Sequence, residues 1–182
     1  MFAEEQARLL TMAETKAEDR ISQAEFEAFY LRTSKQLHGY LCRLTRDPGT
    51  ADELLQEAYI RTINGPLIDA MQRKAYLYKT ATNLLRDRWR RQKREREWSA
   101  VSDFDQQVHQ NLSLSIDMES VFGKLSVQER AILWLAHVEE LSHKEIAAVL
   151  RVKEQSVRVM VFRAREKAKG LLQRAGLGAV HE

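Results

Sequence analysis

Four of the S/T-x-x-E patterns in the chain each precede or open a segment with the apolar periodicity of a helix. In this pattern the hydroxyl accepts a hydrogen bond from a first-turn amide, while the glutamate accepts one from the amide of the cap residue. The four matches are Ser22/Glu25, Thr50/Glu53, Ser126/Glu129 and Ser142/Glu145. They predict four helix N-termini, and with only two prolines and seven glycines in 182 residues they favour an all-α fold.

Three helices are predicted in the first half of the chain. The first covers about residues 23 to 45 and ends at "RDPGT", because proline and glycine favour turns. The second, "ADELLQEAYIRTI", ends at "NGP". The third begins near Met71 and continues into a dense run of arginine and lysine, with Leu77, Ala81, Leu84 and Leu85 as its expected inward face. Together these segments predict a small helical bundle.

The second half of the chain has the order helix, short helix, tight turn and longer helix. Its segments are "SVQERAILWLAHVEEL", "SHKEIAAVL" and "EQSVRVMVFRAREKAKGLL". This order is typical of a helix-turn-helix, whose last helix buries one face and presents the other to DNA. The alternative interpretation is an amphipathic hairpin of a helical bundle whose basic face is solvated.

Two positions depart from the usual helix-turn-helix pattern. Arg151 lies at the turn, where glycine or asparagine adopts a left-handed backbone more easily. Lys153 takes the place of a usual helix cap. Both residues lie in the connection between the short helix and the longer one, and neither belongs to the apolar pattern of those helices.

Positive charge is concentrated in two patches of an otherwise acidic chain. The net charge is only +3, but residues 73–96 hold 10 basic and 2 acidic side chains, and residues 154–182 hold 6 and 3. Patches of this kind neutralise phosphates and release their counterions. Two of them suggest two contacts with one long polyanion, although a solvated helix face also explains either patch alone.

Several classes of protein are disfavoured by the sequence. No apolar run approaches the roughly 18 residues of a membrane helix, and the acidic N-terminus is unlike a signal peptide, so a cytoplasmic protein without membrane insertion is expected. Cys42, the single cysteine, permits no internal disulfide and is expected in the core. Glycine-rich phosphate loops are absent, and His137 and His143 lie on either side of a helix break. We therefore expect no catalytic residue, metal or cofactor.

These segments resemble the extracytoplasmic-function sigma factors of bacterial RNA polymerase over about residues 25 to 172. "ADELLQEAYIRTI" is similar to the polymerase-binding segment of that family, and "AYLYKTATNLLRDRWRR" is similar to its promoter-melting and minus-ten segment. "KLSVQERAILWLAHVEELSHKEIAAVLRVKEQSVRVMVFRAREKA" is similar to its minus-thirty-five domain.

The resemblance implies an all-α fold of two small helical domains, a region 2 bundle and a region 4 helix-turn-helix, joined by a flexible linker. The expected divisions are an N-terminal extension at 1–21, region 2 at 22–97, the linker at 98–119, region 4 at 120–175 and a C-terminal tail at 176–182.

The resemblance also implies roles for particular residues. The segment that docks on the β′ clamp helices of the polymerase contains Asp52, Leu54, Leu55, Gln56 and Glu57. The implied minus-ten DNA contacts are Tyr76, Tyr78, Asn83, Arg86, Arg88, Arg90 and Arg91. The implied minus-thirty-five DNA contacts are Lys144, Ser156, Arg158, Val159, Phe162, Arg163 and Arg165. Ala136 stands where some relatives carry a DNA-contacting arginine, which leaves His137 as a candidate substitute.

The residue types suit these roles chemically. An acidic helix face with Leu54 or Leu55 as its buried anchor can bind a basic coiled coil. Aromatic rings stack on bases that leave the duplex, and an amide bonds an extruded base edge. Arginine reads guanine, and phenylalanine or valine contacts a thymine methyl group. For Tyr78 a structural role in the core is an equally good explanation.

The implied function is that of an alternative sigma factor, which directs promoter-specific initiation under the control of an anti-sigma factor. The expected partners are the β′ clamp helices and β flap of core RNA polymerase, promoter DNA, and an anti-sigma factor of the kind that can be membrane-anchored. A helix-turn-helix regulator that binds an operator without polymerase explains residues 125–172 equally well. That alternative gives no role to the second helix or to the aromatic-basic third helix. A third hypothesis, that the chain is an enzyme, has little support in the sequence.

Overall fold

Residues 21–66, 68–98 and 122–176 are described by the computed structural model. Within them lie six α-helices: α1 (Gln23–Thr45), α2 (Pro48–Ile63), α3 (Ala70–Trp98), α4 (Val127–His137), α5 (His143–Leu150) and α6 (Glu154–Arg174). None of these described residues is in a β-strand. The predicted all-α fold is confirmed, and all three predicted helices of each half are present.

Three of the four predicted capping boxes are formed. They open α1, α4 and α5. The amides of Ser22, Ser126 and Ser142 donate to the partner glutamates at 3.1, 2.7 and 2.8 Å, and each serine hydroxyl accepts from the glutamate amide. A cap of this kind contributes about 1 kcal/mol to the stability of its helix.

The fourth capping prediction, Thr50/Glu53, is wrong. The helix begins at Pro48 and its cap is Asp47, whose carboxylate accepts a hydrogen bond from the Thr50 amide at 3.1 Å. Proline is favoured in the first helical turn because that turn has no intrahelical partner for an amide hydrogen. Glu53 forms an ion pair with α3 instead of closing a capping box.

The first three helices pack around an apolar core. Leucines of α1 and α3 are buried at its centre, and Cys42 is 3% exposed, as expected for a core residue. Two hydroxyl pairs join the helices across the core: Thr33 Oγ1 lies 2.7 Å from Tyr59 Oη, and Tyr40 Oη lies 2.9 Å from Thr82 Oγ1. Buried hydroxyl groups need such partners, since an unpaired one loses its hydration without compensation.

The last three helices form the predicted helix-turn-helix. Ile146, Ala147 and Val157 are buried between α4, α5 and α6. The turn places Arg151 in a left-handed conformation at φ 54°, and its amide bonds the oxygen of Ala147. A non-glycine residue in this conformation costs about 1–2 kcal/mol, which the surrounding packing must offset. Lys153 is the cap of α6 and makes no side-chain capping hydrogen bond.

The two halves of the chain are in contact with each other. The third helix packs against α5, and α1 packs against α4, so the buried residues of both halves belong to one apolar cluster. The predicted extension, linker and tail lie almost entirely outside the described residues, and the division into two domains stays a prediction. Over the described ranges, no helix is both long and apolar enough to span a membrane.

Candidate functional site

The predicted polymerase-binding residues of α2 do not all lie on one surface. Asp52 and Gln56 are exposed, and Leu55 and Glu57 are partly exposed. Leu54 is only 6% exposed. The side chain of Leu54 packs into the apolar cluster in this structure, and its part in docking stays a prediction. Leu55 is the leucine of this segment that is available as an anchor.

Two of the carboxylates on this surface contact a neighbouring side chain, one a histidine and the other an arginine. Oδ1 of Asp52 lies 3.0 Å from Nε2 of His38, and Oε1 of Glu57 lies 2.7 Å from Nε of Arg61. Both pairs are largely exposed, so each contributes little to stability. Their effect is to hold the two carboxylates in fixed positions on the helix surface.

The exposed surface of α2 extends beyond the residues predicted from the sequence. Glu53 is exposed beside Asp52, and Ile60, which is 52% exposed, follows one turn after Gln56. Residues four apart are neighbours on a helix surface, so helical spacing alone could have identified Ile60. We define the docking face as Asp52, Glu53, Leu55, Gln56, Glu57 and Ile60.

Two of the predicted minus-ten residues share one face of α3. Tyr76 and Asn83 are seven residues apart, which is almost two helical turns, and both are partly exposed. The Tyr76 hydroxyl lies beside the loop that follows α2, at 3.0 Å from where a Cβ on Gly65 would be. Oδ1 of Asn83 is buried and has no hydrogen-bond partner among the described residues. The two side chains thus lie on the same side of α3, about 10 Å apart along the helix axis.

Tyr78 lies on the other side of α3 and is completely buried. Its ring packs edge-on against Tyr40, with the ring centroids 5.2 Å apart. The burial of Tyr78 fits the alternative explanation, a structural role in the core, because residues two apart on a helix point in nearly opposite directions. Its contact with bases stays a prediction. Burial, reinforced by the nearby Glu139 carboxylate, raises the pKa of Tyr78 far above its ordinary value. Its hydroxyl lies outside hydrogen-bond geometry to any described residue.

The predicted minus-ten arginines divide into two that are held by protein groups and two that are exposed. Arg86 donates hydrogen bonds to main-chain oxygens of α5, and burial lowers its pKa from the ordinary value. Arg88 forms an ion pair with Glu53 of α2. Arg90 and Arg91 are exposed near the C-terminal end of α3, where Nη2 of Arg90 lies 3.9 Å from Oδ1 of Asp87 on the same helix. These last two are the better placed to contact phosphates in this arrangement.

The predicted minus-thirty-five residues form one exposed surface. They are Lys144 at the start of α5 and, on α6, Ser156, Arg158, Val159, Phe162, Arg163 and Arg165. Phe162 is 63% exposed, whereas Val157 and Ala164 of the same helix are buried. Such exposure is unusual for phenylalanine. The helix thus presents an apolar centre surrounded by arginines, as a surface that reads thymine methyl groups and guanines requires.

Four further side chains lie at the leading edge of this surface. An open groove is lined by Arg158 together with His143, Lys153, Glu154 and Gln155, so it carries one acidic group. Gln155 precedes Arg158 by three residues, so helical spacing could have identified it. His137, the candidate substitute for the missing arginine, is exposed at the end of α4.

A buried carboxylate links the two halves of the chain. Glu139, between α4 and α5, is 5% exposed. Its Oε2 lies 2.9 Å from Nζ of Lys74 in α3, and its main-chain oxygen accepts from the same ammonium at 3.0 Å. Its Oε1 accepts a hydrogen bond from Nε1 of Trp134 at 3.0 Å. Nothing in the sequence pattern identifies this contact, since its partners are 65 residues apart.

The indole that contacts this carboxylate also contacts α1. The guanidinium of Arg43 lies over the Trp134 ring, 4.5 Å from its centroid. A Cβ at Gly39 would lie only 3.0 Å from the same ring. Glycine at this position therefore allows α1 to approach the tryptophan closely.

Comparisons with known proteins match both halves of the chain. The family description "Sigma-70 region 2" matches residues 29–95, and "Sigma-70, region 4" matches residues 116–167. The ECF RNA polymerase sigma factor SigM of Bacillus subtilis is 26% identical over 155 residues, which is 81% of this chain and 95% of the relative. The RNA polymerase sigma-E factor of Streptomyces coelicolor is 30% identical over 145 residues, which is 77% of this chain and 81% of the relative.

Solved structures show the same fold. The sigma factor RpoE of Bartonella quintana, determined in complex with the anti-sigma factor NepR, aligns with a TM-score of 0.64 at 21% identity and covers 82% of this chain and 97% of that one. CnrH, determined in complex with the cytosolic domain of CnrY, aligns with a TM-score of 0.59 at 23% identity and covers 90% of this chain and 96% of that one.

Proposed function

The chain belongs to the extracytoplasmic-function sigma factors of bacterial RNA polymerase, and from this membership we propose how its exposed helix faces divide the work of promoter recognition. It is an alternative sigma factor, and its family consists of transcription regulators. We assign residues 22–97 to region 2 and residues 120–175 to region 4. We place its action in the cytoplasm, on core RNA polymerase and promoter DNA, and assign it no enzymatic activity.

The docking face of α2 is the surface that we assign to the β′ clamp helices. Its carboxylates are exposed or partly exposed, and Leu55 and Ile60 supply apolar contact area among them. Complementary charge accelerates association and fixes orientation, whereas desolvated apolar anchors supply most of the affinity. Leu55 is therefore the residue of this face whose truncation should cost the most binding.

The exposed side of α3 is the surface that we assign to the melted minus-ten DNA. Tyr76 can stack on a separated base. The Asn83 amide can bond a base edge once its oxygen, which is buried here and unpaired among the described residues, becomes exposed. Arg90 and Arg91 then contact the phosphates of the neighbouring duplex. Tyr78 belongs to the core in this assignment.

The exposed surface of α6 is the observation that carries the proposal. Phe162 protrudes between arginines on a helix whose opposite side is buried. Val159, three residues earlier on the same helix, is 48% exposed, and contiguous exposed apolar patches mark interaction sites. In the major groove Phe162 contacts thymine methyl groups while Arg158 and Arg163 reach guanines. The same domain is assigned to the β flap of the polymerase.

We also assign control by an anti-sigma factor. The sigma factor RpoE of Bartonella quintana, which has this fold, was determined in complex with the anti-sigma factor NepR. The helix faces proposed to bind polymerase and DNA carry exposed apolar side chains, Ile60 and Phe162, which such a protein could cover. A membrane-anchored anti-sigma factor fits this scheme, since it would hold the sigma factor away from DNA until a signal released it.

The test is reconstitution with core RNA polymerase. The purified chain should co-elute with core enzyme on size-exclusion chromatography and direct transcription from a defined start on genomic fragments. The variant Phe162→Ala should retain co-elution and lose promoter-dependent transcripts, whereas the exposed control Gln173→Ala should retain both. Binding to a DNA site without co-elution or transcription would favour the alternative, an operator-binding regulator.

A further inference from the structure

The leading edge of the minus-thirty-five surface, where α6 begins, is lined by polar side chains. His143 at the start of α5 and, around the start of α6, Lys153, Glu154, Gln155 and Arg158 face one open groove. All five residues are exposed. Over the ranges that the structure describes, none of these five side chains has a hydrogen-bond or ion-pair partner. Their donors and acceptors are therefore available to a bound molecule.

Gln155 shares a face of α6 with residues that are predicted to contact DNA bases. Arg158 follows it by three residues and Val159 by four, and these spacings make side chains neighbours on a helix. Val157 is buried, so the packing of α6 fixes which side of the helix is exposed. In a helix-turn-helix the N-terminal residues of the recognition helix contact base edges. Gln155, the second residue of α6, lies in that part of the helix.

The hydrogen-bonding groups at the start of α6 change from acceptors to donors along the chain. The carboxylate of Glu154 only accepts, the carboxamide of Gln155 both accepts and donates, and the guanidinium of Arg158 only donates. In the major groove guanine presents two acceptors, adenine presents one acceptor and one donor, and cytosine presents one donor. A guanidinium therefore matches guanine, a carboxamide matches adenine and a carboxylate matches cytosine.

From this arrangement we propose that Gln155 is a specificity-determining residue that reads an adenine in the minus-thirty-five element. The inference rests on the proposed function. The carboxamide oxygen accepts a hydrogen bond from the N6 amino group of adenine, and the carboxamide nitrogen donates one to N7. Gln155 precedes Arg158 by about 4.5 Å along the helix axis, and successive base pairs are about 3.4 Å apart. The adenine is therefore one or two base pairs from the guanine that Arg158 reads.

A phosphate contact is the competing explanation for Gln155, and the charge beside it disfavours that contact. Glu154 is exposed and adjacent in the chain, and its carboxylate repels the DNA backbone. Negative charge near a helix N-terminus is favourable, so Glu154 has a structural reason to be there without a base contact of its own. Among the groove residues, Lys153 carries a charge that suits a phosphate.

The experiment uses the complex of the full-length chain with core RNA polymerase and a library of promoter duplexes randomised over the minus-thirty-five element. Sequencing of the bound duplexes gives the base preference at each position. Gln155→Ala removes both hydrogen bonds, and Gln155→Glu keeps the shape of the side chain but only accepts. Arg158→Ala identifies the neighbouring guanine, and Gln173→Ala, exposed at the other end of α6, is the matched control. Circular dichroism establishes that each variant is folded.

Wild type and Gln173→Ala should prefer adenine at the proposed position by about 5-fold to about 150-fold, which corresponds to the roughly 1–3 kcal/mol of a bidentate pair. Gln155→Ala should lose the preference at this position alone, and Gln155→Glu should prefer cytosine there. An identical motif for wild type and Gln155→Ala would overturn the role of Gln155. A uniform loss of binding on all sequences would overturn it too, because that result indicates a phosphate contact.

The same selection separates this role from the proposed function. If Arg158→Ala changes the motif and Gln155→Ala does not, the proposed function stands and the role of Gln155 is wrong. If the wild-type complex enriches no sequence, the result counts against the proposed function and, with it, against the role of Gln155.

Discussion

Nη2 of Arg86 donates a hydrogen bond of 2.7 Å to the main-chain oxygen of Leu150, 64 residues further along the chain. Leu150 is the last residue of α5, and carbonyls in the last turn of a helix have no intrahelical donor. An arginine of α3 thus caps α5 at the point where the helix-turn-helix makes its turn. The same guanidinium was predicted to contact minus-ten DNA, and it cannot do both at once.

Leu54 and Leu55 are adjacent on α2 but should respond differently to truncation. Leu54→Ala should lower the free energy of unfolding by about 2–5 kcal/mol, because the side chain is buried in the core. Leu55→Ala should cost less stability and weaken binding to core polymerase by about ten-fold or more, as expected for an interface anchor. Urea unfolding and a polymerase-binding titration measure the two effects. The assignment of the docking face fails if Leu55→Ala binds polymerase like wild type.

Replacing Asn83 and replacing Arg91 should affect DNA binding in different ways. Only the first effect should depend on the promoter sequence. Asn83→Ala should change the preferred minus-ten bases, because its amide is placed to bond a base edge. Arg91→Ala should weaken binding to all promoters and reduce the slope of log affinity against log salt by about one. Titrations of the polymerase complex on a promoter library at several salt concentrations measure both, with the exposed Lys35→Ala as control. Equal losses for both variants on every promoter would contradict this division of roles.

The start of α2 offers a test of the corrected helix cap. Asp47→Ala should lower the free energy of unfolding by about 1 kcal/mol, because it removes the acceptor for the Thr50 amide. Thr50→Ala should cost less, since the cap itself remains. Thermal unfolding of the two variants beside Ser142→Ala, which removes a confirmed capping box, provides the comparison. If Thr50→Ala were the more destabilising change, the cap would lie where the sequence pattern first suggested.

Ionisation of the Tyr40 hydroxyl makes the free energy of unfolding depend on pH in the alkaline range. Burial raises the pKa of Tyr40 from 10.0 to about 12, although its hydrogen bond with Thr82 acts in the opposite direction. Between these values the unfolded chain holds fewer protons than the folded one, so the free energy of unfolding falls as pH rises. The stabilisation that the protonated Tyr40 hydroxyl gives to the folded state is complete below about pH 10. It is lost as the pH rises through about 12.

The free energy of unfolding should therefore fall by about 1–3 kcal/mol for this one group over that interval. Tyr59, whose pKa burial also raises to about 12, adds to the fall. Urea unfolding at a series of pH values should show a shallower dependence for Tyr40→Phe than for wild type. Identical slopes for the two proteins would contradict the assignment to Tyr40.

The elements of the fold could be predicted from the sequence because their determinants are local. Three capping boxes and the apolar periodicity identified the helices, since a serine cap and its glutamate are only three residues apart. The exception, Thr50/Glu53, was wrong because Asp47 and Pro48 provide a better start for the same helix. The exposed surface of α6 was predictable for the same reason: helical spacing decides which side chains share a face.

The sequence by itself determined the all-α class, the helix-turn-helix and the identity of the residue types on each helix, because these depend on spacings within one or two turns. Only the tertiary structure decided that Leu54 and Tyr78 are buried rather than exposed, and that Lys74 and Arg86 contact the other half of the chain. An amphipathic helix can pack more than one of its sides against other helices. The apolar pattern of its sequence does not specify which helices those are. Contacts such as Lys74 with Glu139 join residues 65 positions apart, and they exist only because the packing of α3 against the helix-turn-helix removes water between them.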